Sequence, residues 1–269
     1  MLDSLFVSAV ILGIVEGLTE FLPVSSTGHL ILAGTVLGFT GPASKLFHVV
    51  IQLGAILAVC WIYRERLFDA ASGVLTEAPA RRFVANIGLA FLPAAVAGAL
   101  FHLFIKEVLF SPWVVAVSLI VGGFAILLIE RVRPRPRVHS IGCMPPRTAL
   151  GIGLCQIVAM IPGVSRAGAT IMGGLMLRVD RPTATEFSFF LAIPTMFGAA
   201  AYDLYESRAE LSFDDGLIIA VGFVAAFVAA LLVVRRLVDF VGRHGFGVFA
   251  WYRIILGSIA LFGLWYVDV

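Results

Sequence analysis

Two glutamates lie four residues apart in an otherwise apolar stretch near the start of the chain. Glu16 and Glu20 stand in GIVEGLTEFL, and their spacing puts both carboxylates on one face of a helix. Neighbouring carboxylates repel each other unless a cation or a shared proton intervenes, and Mg²⁺ and Ca²⁺ prefer such oxygen ligands. The pair therefore predicts either a divalent-metal site with Glu16 and Glu20 as ligands or a proton-handling site. The alternative is a helix end that reaches lipid headgroups.

A basic residue lies in the middle of a second apolar stretch. Arg166 stands in IPGVSRAGAT, and its planar guanidinium suits a phosphate group. Residues just before a new helix also offer backbone N–H groups, and a helix N-terminus favours an anion. The alternative is an ion pair between Arg166 and Glu20. Both hold together if one site binds a metal and a phosphate.

Hydroxyl groups and a histidine follow the glutamates in FLPVSSTGHL. Ser25, Ser26 and Thr27 precede a predicted helix, so each is a candidate N-cap as well as a candidate ligand or nucleophile. His29 lies one helical turn from the serines and could act as a general base or as a nucleophile. Arg253, in the sequence WYR, is predicted to anchor the last helix at the membrane interface.

The composition of the chain is that of an integral membrane protein. Its 269 residues are 60% apolar and 13% charged, with a mean hydropathy of +1.02; soluble domains have about 45–50% apolar and about 25% charged residues. This excludes a soluble globular domain and a disordered chain. A net charge of +2 gives no reason to expect nucleic-acid binding. The three cysteines indicate neither a disulfide framework nor a zinc cluster.

Six apolar stretches are long enough to cross a bilayer, which takes about 20 residues. They are residues 46–63, 83–104, 113–130, 186–205, 216–234 and 247–268. Two further apolar regions, 4–38 and 148–178, are interrupted by the Pro- and Ser-containing motifs quoted above. A break at membrane depth is tolerated where protein or a water-filled cavity surrounds it. We therefore predict an all-α integral membrane protein with six transmembrane helices and two re-entrant helical hairpins.

The basic residues predict the orientation, because cytoplasmic loops are rich in Lys and Arg. With the N- and C-termini outside, Lys45, Lys106 and Arg208 fall on the outer side. The inner loops then carry Arg64, Arg66, Arg81, Arg82, Arg131, Arg133, Arg135, Arg137, Arg147, Arg178, Arg181, Arg235, Arg236 and Arg243. If either hairpin crossed the membrane fully, these residues would be divided between the two sides.

The two interrupted regions align with each other when the chain is shifted by 140 residues. VSSTGHLI then lies over VSRAGATI, and Gly13 falls on Gly153. Three predicted crossings separate the hairpins, so the second copy is inverted, and inverted repeats build their site where broken helices meet. We predict one membrane domain over 1–269, with inverted halves at about 1–130 and 148–269. A basic, Pro-rich cytoplasmic linker, 131–147, joins them.

Four motifs of the sequence resemble those of the bacterial undecaprenyl-diphosphate phosphatases of the bacitracin-resistance type. They are EGLTEFLPVSSTGHL, FHVVIQLGAILA, IPGVSRAGATI and EFSFFLAIPTMFGAAAYDLY, and the resemblance covers essentially the whole chain. It implies an enzyme of the bacterial inner membrane that converts undecaprenyl diphosphate to undecaprenyl phosphate and phosphate. This reaction recycles the lipid carrier of peptidoglycan synthesis, with the site open to the outer side. Ala167 departs from the SRSGAT of the family, which argues against an indispensable hydroxyl there.

The resemblance and the residues together predict which side chains act. The predicted catalytic residues are Glu20, Ser26, His29 and Arg166; the predicted phosphate-binding residues are Ser25, Thr27, Ser165, Arg166, Gly168 and Thr170. Three nucleophiles are left open: Ser26, His29 and a water that His29 activates. We prefer a mechanism in which His29 works together with Ser26. The cofactor is predicted to be a divalent cation, Mg²⁺ or Ca²⁺. A homodimer is compatible with the chain, although no residue indicates one.

A transporter or flippase of a polyprenyl-phosphate lipid is the alternative function. Inverted repeats and broken helices are also the anatomy of alternating access, and a fold does not determine its function. Release of phosphate in detergent, where no leaflets exist, would distinguish an enzyme from a transporter.

Overall fold

The computed structural model describes residues 2–39, 42–104, 111–206 and 216–267, and within these ranges the chain is helical. The described helices are α1 Leu2–Thr19, α2 Ser26–Val36, α3 Pro42–Ile62, α4 Arg64–Gly73, α5 Ala78–Phe104, α6 Pro112–Val132, α7 Pro146–Val158, α8 Arg166–Met176, α9 Arg181–Glu206, α10 Gly216–His244 and α11 Gly247–Val267. Between α6 and α7 the chain forms a short 3₁₀ turn, Ile141–Cys143, and a single bridge from Val138 to Val179. The Pro-rich linker is thus largely non-helical, as predicted.

The long apolar helices confirm a multi-pass membrane protein. Five of them, α5, α6, α9, α10 and α11, are long and apolar enough to span a bilayer. A sixth span is formed if α3 and α4 are counted together, and these two helices are bent by 75° at Tyr63. All six predicted crossings coincide with described helices; residue 268, Lys106 and Arg208 lie outside the described residues.

The helix α4 was not expected from the sequence, which predicts a loop after α3. Its ten residues include Arg64, Glu65 and Arg66, so it is much more polar than α3. Glu65 lies in the first turn, where a carboxylate stabilises the helix dipole. The bend therefore marks the point at which the chain changes from an apolar to a polar surrounding.

Small residues let the helices approach each other closely. A Cβ at Gly13 or Gly17 of α1 would meet the backbone carbonyls of Gly222 and Ala226 of α10. The same relation holds between Gly153 of α7 and the backbone of α5. Glycine and alanine at such spacing support helix contact in membranes, where lipid removes the hydrophobic drive for association.

Two of the helix pairs are interrupted as the sequence predicts. The first break, residues 20–25, separates α1 from α2, and the second break, residues 159–165, separates α7 from α8. Each contains a buried proline, Pro23 or Pro162, which has no N–H to continue a helix. Gly163 has a φ of 91°, a conformation that favours glycine. Each break therefore ends one short helix and begins another.

Candidate active site

Both breaks end on a serine in a rare backbone conformation. Ser25 has φ 69° and Ser165 has φ 77°, and each hydroxyl accepts a hydrogen bond from the glycine N–H three residues later. A left-handed φ in a non-glycine residue costs about 1–3 kcal/mol and tends to occur at functional sites. The strained N-caps fix where α2 and α8 begin, and so fix the first residues of both helices.

Those first residues are joined by a buried glutamate. Ser26 Oγ donates a hydrogen bond to Glu20 Oε2 at 2.5 Å, and Arg166 Nη2 donates to Glu20 Oε1 at 2.9 Å. The side chains of Arg166 and Glu20 are only 13% and 9% exposed, so this ion pair is shielded from solvent. Residues from the two breaks, 146 positions apart, thus form one charged cluster.

Several neighbours orient the Arg166 guanidinium. Its Nη1 donates to the Ser188 carbonyl at 3.0 Å, and its charge lies 5.8 Å from the centre of the Phe21 ring. Thr170 Oγ1 contacts both the Arg166 carbonyl at 2.9 Å and the Ser188 hydroxyl at 2.7 Å. Arg166 Nε has no hydrogen-bond partner among the described residues. The guanidinium is thus held through both Nη atoms, while its Nε–H is buried without a partner in the described part of the chain.

The cluster lines a cavity of about 590 Å³. Its polar lining includes Glu20, Ser25, Ser26, Thr27, Gln52, Gln156, Ser165, Arg166, Thr195, Tyr202 and Asp203. Its apolar lining comes mainly from α5, the second break and α9, with Phe91, Met160 and Met196 among the larger side chains. A polar pocket with an apolar wall can receive a charged headgroup while the wall contacts a lipid tail.

The chain was compared with known proteins. A family model described as bacitracin resistance protein BacA matches residues 9–259. Undecaprenyl-diphosphatase 2 of Paramagnetospirillum magneticum is 59% identical over 251 residues, which cover 93% of this chain and 96% of the relative. The undecaprenyl-diphosphatase of Parvibaculum lavamentivorans is 54% identical over 261 residues, 97% of each chain. This chain belongs to the BacA family.

Some of the predicted site residues of this BacA-family protein do not line the cavity. Gly168 and Thr170 are buried, and their amide and hydroxyl bond to Ser165 and Ser188 respectively. Glu16 is 0% exposed, and neither of its carboxylate oxygens has a hydrogen-bond partner among the described residues. The described residues contain no cluster of three or more His, Cys, Asp or Glu that could hold a metal ion.

His29 faces away from the charged cluster. Its Nδ1 is 2.8 Å from the Ser25 carbonyl, which can only accept, so Nδ1 carries a proton. Its Nε2 is 2.7 Å from the Tyr252 hydroxyl, and the two rings stack. His29 is not among the residues that line the cavity. The structure thus brings Glu20, Ser26 and Arg166 together without His29.

The prediction that Arg253 is an interfacial anchor is wrong. Arg253 is 1% exposed and lies between the two breaks. Its partners are backbone carbonyls, so no acidic side chain in the sequence could have indicated them. Ser188, which contacts Arg166, was not identified from the sequence. A serine in an apolar helix gives no signal of its own.

Proposed function

We propose that this protein hydrolyses undecaprenyl diphosphate to undecaprenyl phosphate and inorganic phosphate in the cavity between the two breaks. The observation that carries the proposal is the contact of Ser26 and Arg166 with one buried carboxylate, Glu20. Phosphoryl transfer through a serine requires a hydroxyl, a base and a positively charged group that binds phosphate, all within hydrogen-bond reach. Ser26, Glu20 and the Arg166 guanidinium are such groups. The undecaprenyl-diphosphatase names of the relatives supply the substrate. The reaction returns the lipid carrier to peptidoglycan synthesis, and the family description connects it with bacitracin resistance.

In the first step Ser26 attacks the terminal phosphorus. Its Oγ already donates to Glu20, so the carboxylate can take the proton as the new O–P bond forms. The bond from that phosphorus to the bridging oxygen breaks, and undecaprenyl phosphate leaves with the electron pair. The phosphate remains on Ser26 as an ester.

In the second step water hydrolyses this ester. A water attacks the phosphorus, and the bond from phosphorus to Ser26 Oγ breaks. Glu20 returns to that oxygen the proton that it took in the first step, and the protons of the water stay on the released phosphate. Glu20 can serve both steps because it lies next to the Ser26 oxygen throughout. Attack by His29 and attack by a water that His29 activates are the other routes that the sequence left open, and a trapped phosphoserine would favour the Ser26 route over both.

Arg166 binds the diphosphate. Substrate oxygens can share Arg166 Nη2 with Glu20. Ser25, Thr27 and Ser165 line the same space, and the first turns of α2 and α8 add the positive ends of two helix dipoles. Gly168 and Thr170 act indirectly in this scheme, by capping α8 and by supporting Ser188.

The proposal includes a divalent cation, Mg²⁺ or Ca²⁺, held by Glu16 and Glu20. The buried Glu16 oxygens without partners support this, because an isolated ionised carboxylate is costly to bury. Two carboxylates suffice for Mg²⁺ when waters and substrate phosphates complete its shell. The cation would offset negative charge on the transferring phosphoryl group. A protonated Glu16 that exchanges protons with Glu20 is the alternative.

The finer topology is part of the proposal. The protein lies in the inner membrane with its N- and C-termini on the outer side. The two interrupted helix pairs are re-entrant, and the halves on either side of linker 131–147 are inverted repeats. Helix α9 supports the outward opening of the cavity. It begins at Arg181, on the basic inner side, and the lining residues Thr195, Met196 and Asp203 lie in its other half. The homodimer remains a prediction, and the mass of the detergent-solubilised particle would test it.

A phosphate-release assay tests the proposal. Purified protein in detergent is expected to release phosphate from undecaprenyl diphosphate, and an inactive protein would contradict the proposed reaction. A transporter should instead move labelled lipid phosphate across proteoliposomes without phosphate release. The relatives and the Ser26–Glu20 contact favour hydrolysis over the transporter.

A further inference from the structure

All five N–H donors of Arg253 are used by backbone carbonyls. Nη1 donates to Pro23 at 3.0 Å and to Val164 at 2.8 Å, and Nη2 donates to Gly163 at 2.9 Å. The remaining two donors bond to α6: Nη2 to Ser118 at 3.0 Å and Nε to Leu119 at 3.3 Å. A guanidinium has five such donors, so Arg253 is saturated. One side chain therefore ties the first break, the second break and α6 together.

The surroundings of Arg253 are built from glycines that leave room for the guanidinium. A Cβ at Gly122 of α6 would overlap the guanidinium itself. A Cβ at Gly168 would lie 3.4 Å from Nη1. At Gly163 a Cβ would meet the Val115 carbonyl at 2.7 Å, so the second break sits directly on α6. A larger residue at Gly122 would push the arginine away from its carbonyls without altering the arginine.

The carbonyls that bind Arg253 come immediately before the strained N-caps. Pro23 is two residues before Ser25, and Val164 directly precedes Ser165. Ser26 and Arg166 directly follow those caps. The guanidinium of Arg253 therefore controls the distance between the hydroxyl that would attack the phosphorus and the arginine that would bind the phosphate. Arg253 does not line the cavity and has no contact with substrate space.

We propose that Arg253 is a positioning residue that holds the two breaks at the separation needed for Ser26 and Arg166 to act on one diphosphate; its effect on turnover rests on the proposed function. Lysine keeps the charge but has three donors on one nitrogen, and it cannot span five carbonyls on three segments. A displacement of about 1 Å between reacting groups can cost about 10²-fold in rate. The loss should fall on kcat more than on KM, because Arg166 itself is retained.

The test compares Arg253→Lys and Gly122→Ala with wild type, and Gly88→Ala is the matched control. Gly88 is a helical glycine of α5 with no atom within 4 Å of an added Cβ. Phosphate release is measured over a range of undecaprenyl diphosphate concentrations. Hydrogen–deuterium exchange in detergent follows residues 20–28 and 160–168, and it reports the tether whether or not the protein hydrolyses this substrate.

Both variants are expected to lower kcat at least about tenfold with a smaller change in KM, and Gly88→Ala should match wild type. Exchange should become faster in both breaks and stay unchanged in α10. Wild-type kcat and exchange in a folded Gly122→Ala variant would overturn the proposal, as would full rescue by lysine. If neither variant folds, Arg253 serves the fold alone and the proposal is wrong. An inactive wild type whose variants still show faster exchange would refute the reaction and leave the tether standing.

Discussion

Replacing Glu20 with glutamine tests the centre of the proposed site. The amide has nearly the same shape as the carboxylate, but it carries no charge and is a poor proton acceptor. In the structure Glu20 accepts from Ser26 at 2.5 Å and from Arg166 at 2.9 Å, and both contacts are charge-assisted. The substitution keeps the packing of the first break and removes the proposed base.

The expected effect is large on kcat and small on KM. General-base catalysis contributes about 10²–10⁴-fold, equivalent to about 3–5 kcal/mol of activation free energy. Arg166 stays held by Ser188 and loses its competing carboxylate, so it remains free for the diphosphate. Removing the Glu20 charge also removes repulsion of the substrate, which at about 4 Å and an effective dielectric of 20 is about 4 kcal/mol for unit charges. With Mg²⁺ or Ca²⁺ at a concentration that keeps the proposed cation site full, we therefore expect KM to stay level or fall.

Phosphate release from undecaprenyl diphosphate in detergent is the assay, with thermal melting as the check on folding. Glu65→Gln is the matched control, because the Glu65 side chain is 88% exposed on α4. A Glu20→Gln variant with wild-type kcat would refute the role of Glu20 as a base. A raised KM with unchanged kcat would show that Glu20 only binds the substrate or its cation, and would refute the reasoning equally.

Three further measurements test the remaining groups. The wild-type protein should become labelled when its reaction with substrate labelled on the terminal phosphate is quenched with acid, and the Ser26→Ala variant should not. Wild-type protein without label would rule out the phosphoserine route. A chelator should abolish phosphate release, and added Mg²⁺ or Ca²⁺ should restore it. The Glu16→Gln variant should need a half-saturating metal concentration about tenfold higher or more. An unchanged concentration would show that Glu16 is not a metal ligand. His29→Ala should lose at least about tenfold less kcat than Ser26→Ala, because the ring nitrogens of His29 bond to the Ser25 carbonyl and Tyr252 among the described residues. Equal losses would return His29 to the chemistry.

Much of the fold could be predicted because lipid imposes strong constraints on sequence. A crossing needs about 20 apolar residues, and the six predicted crossings coincide with described helices. The two breaks were equally visible, since Pro23 and Pro162 interrupt apolar runs that would otherwise continue. The contact of Glu20 with Arg166 was also foreseeable, because charges in an apolar surrounding have few partners to choose from.

The environments of Arg253 and His29 depend on partners that carry no sequence signal. Arg253 follows Trp251 and Tyr252, a combination typical of a membrane interface, yet it binds carbonyls from 89 to 230 positions away. His29 stays a predicted catalytic residue, but the partner of its Nε2, the Tyr252 hydroxyl, lies 223 positions along the chain and could not be foreseen. Helical spacing gives the distance between neighbours in one helix, and it does not say which side faces the cavity.

The two breaks share one backbone feature, a serine with a left-handed φ that caps the following helix, and this feature serves two chemical roles. Under the 140-residue shift Ser25 falls on Ser165, and both adopt a left-handed φ and cap a helix in the same way. The next residue is the first of its helix in each case, and it is a serine in one break and an arginine in the other. The same geometry thus presents a hydroxyl from one side of the cavity and a guanidinium from the other. Glu20 falls on Met160 under this shift, so one carboxylate serves both sides and makes the paired breaks unequal.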